Sequence, residues 1–191
     1  MTVGRRVSRM LVARALVLGL LWLSAARDRP SLAADEYSED SVRAAYLYRF
    51  AGYVVWPDAG PPDAPFVIDV IGSPAIAREL RRLAAEHTIN HRSAEVREIS
   101  TLQDIGKARI LYVAAGRGQM LLRLRPEASA AMLLVTAEED GLRDGSAINF
   151  LTVDRTVRFE VSLTAAQVRG LKISADLLGV AVRVQGGRSG E

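Results

Sequence analysis

The chain has 191 residues, of which 25 are basic, 22 acidic and none cysteine. That length suits a leader plus one domain that buries about two thirds of its unfolded surface, so neither a disulfide nor a metal is needed to hold it. Without cysteine, disulfides, thiolate metal sites and cysteine nucleophiles are excluded.

The first segment reads as an export signal. Arg5, Arg6, Arg9 and Arg14 precede the apolar run Ala15 to Leu23, and small residues follow at Ser24-Ala25-Ala26 and at Ser31-Leu32-Ala33. This is the three-part plan of a signal peptide over 1–33, with cleavage after Ala26 or after Ala33. The apolar run falls well short of the roughly twenty residues of a membrane span, which argues against a permanent anchor. Ser8 stands where a twin-arginine signal prefers a large apolar residue, so the general secretory route is favoured. Loss of the leader removes six arginines and Asp28, leaving 19 basic and 21 acidic side chains, a net charge of −2. The pI near 9.6 therefore belongs mostly to the leader and makes no case for nucleic acid as a partner.

After a polar lead-in at 34–40, Ala44 to Pro57 holds five of the eleven aromatic residues. As a helix it aligns Tyr46, Phe50 and Tyr53 on one stripe, widened by Leu47 and Val54. Pro57 forces Trp56 out of helical geometry, which predicts a helix end near Val55 with the indole at its mouth. Asp58 to Pro65 is a proline-rich loop. Phe66 to Gly72 reads as a strand, and Ser73-Pro74 supplies an N-cap and an N1 proline for a helix to about Glu86. Glu95 to Ile99 alternates like an edge strand, whereas Ile110 to Ala114 is continuously apolar like an interior one. Gly116-Arg117-Gly118 leads into a helical stretch through Arg125, halted by Pro126. Met132 to Thr136 is another buried run, followed by the acidic loop Glu138 to Gly141. Alternating strand and helix predicts a largely parallel sheet in three layers.

The last third breaks the alternation. Ala147 to Val153 and Thr156 to Leu163 read as a hairpin turning at Asp154-Arg155. Along the second strand Val157, Phe159, Val161 and Leu163 point one way, and Arg158, Glu160 and Ser162 the other. Thr164 is the expected cap of a helix to about Arg169 that Gly170 ends, and Ser174 starts another over Ala175 to Val180. Residues 185–191 read as a flexible tail. The fold class is thus α/β: a mixed, mostly parallel sheet with flanking helices and a C-terminal β-hairpin followed by helices.

Candidate chemistry is sparse. Gly72, Ala115, Gly116 and Arg117 fall at strand ends, where open α/β sheets bind ligands, but the glycines lack the fuller phosphate-binding pattern and a plain turn accounts for them. His87 and His91 are four apart, yet Asn90 between them indicates that the helix has ended, so they read as solvated loop residues and no metal site is expected. There is no Gly-x-Ser-x-Gly elbow, and Glu138 and Glu139 read as solvated loop charges. Trp56, held at a helix end by proline, has the form of an interface anchor, with Tyr53 one turn before it. Arg158 and Glu160 form either a solvated strand face or part of a contact surface.

Three blocks resemble the YfiR-like family of periplasmic regulators. Ala44 to Pro57 is similar to that family's opening block, an alanine and aromatic helix ending in Trp-Pro. Gly145-Ser146-Ala147-Ile148-Asn149-Phe150 resembles its Gly-x-x-Ile-Asn-Phe block. Val157-Arg158-Phe159-Glu160-Val161 and Gly170 to Leu178 resemble its closing strand and helix. The likeness runs over 41–184. It implies a periplasmic, non-enzymatic regulator without cofactor, dimeric in many members, that represses an inner-membrane diguanylate cyclase through the cyclase's periplasmic sensor portion. Cyclic-di-GMP output and biofilm formation would follow, and an outer-membrane lipoprotein would be a further partner. A small-molecule receptor feeding another membrane sensor, such as a histidine kinase, is the alternative. Relatives carry cysteine where Ala108 stands here, so redox control does not carry over.

Overall fold

The computed structural model describes residues 38–58, 60–61, 63–124 and 131–186. The expected leader with its cleavage sites, the Arg125-Pro126 stop and residues 187–191 lie outside the described residues.

Helix α1 (Glu39–Tyr53) starts where Ser38 accepts a hydrogen bond from the Ser41 N–H (3.2 Å), and Glu39 and Asp40 complement the dipole in its first turn. Ala44, Leu47, Phe50 and Ala51 form its buried face. It ends at Tyr53, two residues before the position that Pro57 alone predicts. The reason is tertiary: Val54 and Val55 extend as β1 and pair antiparallel with Ile173 and Lys172 of β8 (Lys172–Ile173). Two β-branched residues with a strand partner are better placed there than in a last helical turn.

The main sheet has seven strands in the order β3-β2-β4-β5-β6-β7-β9. Strands β2 (Phe66–Ile71), β3 (Ala94–Ile99), β4 (Ile110–Val113), β5 (Leu133–Thr136) and β6 (Ile148–Val153) are mutually parallel. β7 (Thr156–Ser162) returns antiparallel to β6, and β9 (Arg183–Gln185) adds parallel to β7. Part of the expected tail, Gln185, is thus a strand residue, bonded in register with Ser162. Helix α2 (Pro74–Glu86) follows β2, capped by Ser73, whose hydroxyl accepts from Ile76 N at 3.3 Å.

Side-chain alternation divides the sheet into two faces. Ile68, Val70, Ile110, Tyr112, Leu133, Val135, Ile148, Phe150, Phe159 and Val161 pack with α1, α2 and the two short helices α3 (Leu163–Val168) and α4 (Ala175–Val180). Ile71, Leu111, Val113 and Leu134 pack on the other face with Leu121 and Leu102. That third layer is 3-10 helix, Leu102–Asp104 and Gly118–Arg123. The sequence predicts a helical stretch through Arg125; its described part, Gly118–Arg123, is 3-10, with i to i+3 bonds such as Met120 N to Arg117 O (3.0 Å) in place of α-helical ones. A second correction concerns α3. Its cap is Ser162, accepting from Ala165 N at 3.1 Å, whereas Thr164 lies inside the helix with its hydroxyl 2.1 Å from where a Cβ on Gly186 would sit.

The hairpin turn is expensive as written. Asp154 (φ 48°) and Arg155 (φ 59°) both adopt left-handed geometry, the signature of a type I′ turn that prefers Asn-Gly. Arg155→Gly should raise the urea midpoint by the equivalent of about 0.5 kcal/mol, the relief of a left-handed Cβ less the extra freedom of the unfolded glycine. A lowered midpoint would mean that the arginine side chain contributes more than its backbone strain removes.

Candidate partner-binding site

Trp56 emerges where α1 gives way to β1, half-buried against Phe66, with ring centroids 5.3 Å apart and planes at 87°. Its neighbours are open: Tyr53 is 38% and Val55 61% exposed. The ledge is held from below. Tyr53 O accepts from Ser174 N (2.9 Å), and Gly170 lies so close to Pro57 that a Cβ there would sit 3.3 Å from its ring. Gly170 also has φ +70°, so this corner requires glycine twice over. The Trp56 indole N–H is buried and has no partner among the described residues.

Arg158 and Glu160 do not join this ledge. They lie on the face of β7 opposite Phe159 and Val161, the residues that pack under α1. Arg158 is exposed, but Glu160, read from the sequence as part of a solvated strand face or of a partner-contact surface, is 1% exposed. The correction has a structural cause. Its Oε1 accepts from Asn149 Nδ2 (2.9 Å) and its Oε2 from Arg183 Nε (2.7 Å), a guanidinium brought alongside by β9. Sequence pattern could place Glu160 on a face; it could not show that a parallel strand from the C-terminus pairs beside β7 and lays Arg183 against that carboxylate.

Asn149 is the centre of this network. Its Oδ1 accepts from Thr136 Oγ1 (2.8 Å) and Glu138 N (3.1 Å), and its Nδ2 donates to Glu138 O (2.9 Å) as well as to Glu160. Two donors and two acceptors are all used, as a fully buried amide requires. Gly141 passes so near that a Cβ would fall 2.4 Å from Asn149 Oδ1. The Ile-Asn-Phe and Arg-Phe-Glu blocks are therefore one feature seen twice: Asn149 faces Glu160, and Phe150 faces Phe159, across the β6–β7 ladder.

Gly72, Ala115, Gly116 and Arg117 do come together at the carboxyl ends of β2 and β4, where the strand order reverses. A Cβ on Gly72, which has φ +80°, would lie 3.2 Å from Arg117 Cγ. A cleft of about 390 Å³ opens there, lined by Arg43, Gly72, Ser73, Tyr112, Ala115 and Glu138 among others. Burial pushes the Tyr112 hydroxyl up to about 12, so it stays protonated. The anion-seeking backbone is already occupied. Glu138 Oε1 accepts from both Arg117 N (2.8 Å) and Gly118 N (2.6 Å), so the chain's own carboxylate sits where a phosphate would bind.

His87 is exposed ahead of the tight turn closed by Ile89 and Arg92 and His91 is exposed within it, and no metal-binding group of His, Asp or Glu occurs among the described residues. Sequence reasoning missed Asp69, which is fully buried in β2 and receives both arms of Arg97 (2.8 and 2.7 Å). A lone acid inside Phe-Val-Ile-Asp-Val-Ile was the available signal. It also missed Arg92 and Arg109 beside the Trp56 ledge, for which nothing in spacing or pattern gives a sign.

Comparison with solved structures finds the same fold in a conserved domain protein from Vibrio cholerae O1 biovar El Tor, with a TM-score of 0.54 at 14% identity. The match covers 77% of this chain and 60% of that one, so the present chain spans about three fifths of its neighbour's length. No curated protein matches the chain. Residues 40–182 match the family described as YfiR/HmsC-like, a span that runs from the first turn of α1 through α4 and includes both blocks just described; the chain belongs to the YfiR/HmsC-like family.

Proposed function

We propose that this protein is an exported, periplasmic regulator that represses or tunes an inner-membrane diguanylate cyclase by binding the cyclase's periplasmic sensor portion, without catalysis. Family membership supports the reading. The observation that carries it is the Trp56 ledge: an aromatic helix end running into β1, with Tyr53 and Val55 open to solvent and no chain segment covering them among the described residues. Large, rigid aromatic surface set on a folded support is the usual form of an interface anchor. No helix among the described residues is long and apolar enough to cross a membrane. An outer-membrane lipoprotein that sequesters the regulator, and a homodimer, complete the proposal.

Repression requires that the regulator bind the inactive cyclase state more tightly than the active one. Trp56→Ala should weaken binding to the sensor portion about thirtyfold, the scale of a hot-spot truncation. Cellular cyclic-di-GMP should rise to the level of a gene deletion, while Arg158→Ala, on the opposite face of the sheet, leaves it unchanged. If deletion of the gene left cyclic-di-GMP unaltered across growth conditions, the cyclase assignment would fail. If deletion raised it but Trp56→Ala did not, the ledge would not be the contact.

A further inference from the structure

Beside the ledge, at the amino ends of β2 and β4, a second cleft of about 440 Å³ is lined by Trp56, Phe66, Asn90, Arg92, Arg109 and Asp58 with a few others. Its volume is that of a small-molecule site rather than a peptide groove. Its charge is unbalanced. Arg109 Nη1 donates to Asp58 O and Arg92 Nη2 to Gly60 O (3.3 Å), but carbonyls neutralise nothing, and neither guanidinium is paired with a carboxylate among the described residues. The Asp58 carboxylate is turned to its own loop, accepting from Gly60 N at 2.7 Å. Meanwhile Arg109 Nη2 and Arg92 Nη1 converge: they lie 2.9 and 3.9 Å from the point where a Cβ on Gly60 would stand. Two half-buried guanidiniums that line one cleft without a carboxylate partner favour an anion between them.

The rest of the wall says what the anion carries. Trp56 and Phe66 meet edge to face, and Val54 adds apolar surface. Inorganic phosphate would leave that apolar wall unfilled. We infer that this cleft binds a small aromatic carboxylate, its carboxylate held by Arg92 and Arg109 and its ring against Trp56 and Phe66. The site is separate from the strand-end cleft that Glu138 fills, and it does not rest on the cyclase reading, because binding is measured on the protein alone. It would, however, place a small-molecule signal on the residue that forms the proposed partner contact.

The test uses the full chain carrying Trp22→Phe, in which Trp56 is the only tryptophan, so that its fluorescence reports the cleft directly. Benzoate should change that fluorescence saturably with a Kd of about 1 mM or tighter, with acetate and methyl benzoate each about tenfold weaker. Arg92→Gln and Arg109→Gln should each weaken benzoate about tenfold, and Arg158→Gln should not. Should Arg109→Gln fail to fold, because Arg109 also holds the Asp58 loop, Arg92→Gln decides alone. No saturation by about 10 mM, equal affinity for the methyl ester, or unchanged binding by the folded Arg92→Gln variant would each overturn the inference.

Discussion

Phe50→Ala should lower stability by about 4 kcal/mol, the upper range for a large-to-small change in a core. Phe50 is fully buried in the last turn of α1, stacked on Tyr46 (6.0 Å) and Phe150 (5.8 Å) and edge-on to Phe159 (5.2 Å). Helix and sheet backbones fix those rings from both sides, so the cavity cannot close by a simple shift, and the cluster loses ring-to-ring contacts in addition to transfer energy. Urea unfolding followed by circular dichroism measures the loss. A cost below about 2 kcal/mol would mean that the helix slides to refill the space and that the aromatic packing is looser than the ring geometry indicates.

Arg97→Ala should cost about 3 kcal/mol, for a different reason: it leaves Asp69, with no exposed surface, as an uncompensated charge under the sheet edge. Hydrogen bonding to Asp69 raises the Arg97 guanidinium above its ordinary value, so the guanidinium remains charged throughout the accessible pH range. The pair itself is a poor stabiliser. Because burial of the two charges offsets most of their attraction, the double replacement Asp69→Leu with Arg97→Met should restore most of the stability that Arg97→Ala loses. Asp69→Leu, Arg97→Met and their double form a cycle measured by urea midpoints. If Arg97→Ala costs less than about 1 kcal/mol, water reaches Asp69 and the site is not dry.

Much of the architecture was legible because it is local. Ser73-Pro74, Ser174 and the alternation in β7 each express a single physical preference, and each is where the pattern puts it. What escaped depends on pairing between distant segments. The end of α1 is set by β8, some 120 residues later in the chain, and the burial of Glu160 by β9, neither of which leaves a mark near Tyr53 or Glu160. Of the candidate site residues, Tyr53 and Trp56 form one surface, Arg158 faces away from it, and Glu160 is structural in its surroundings. Gly116 and Arg117 show a further limit. A glycine-bounded turn after a strand signals free N–H groups, but only the fold shows that Glu138 takes them up.

The unequal covering of the sheet has a consequence for how the molecule loosens. Full-length helices seal one side of β4 and β5, but short 3-10 turns around Leu121 and Leu102 close the other. Amide protons of Gly118 to Arg123 should therefore trade with deuterium through brief local excursions, while those of Leu111, Tyr112 and Leu134 wait for the whole domain to come apart.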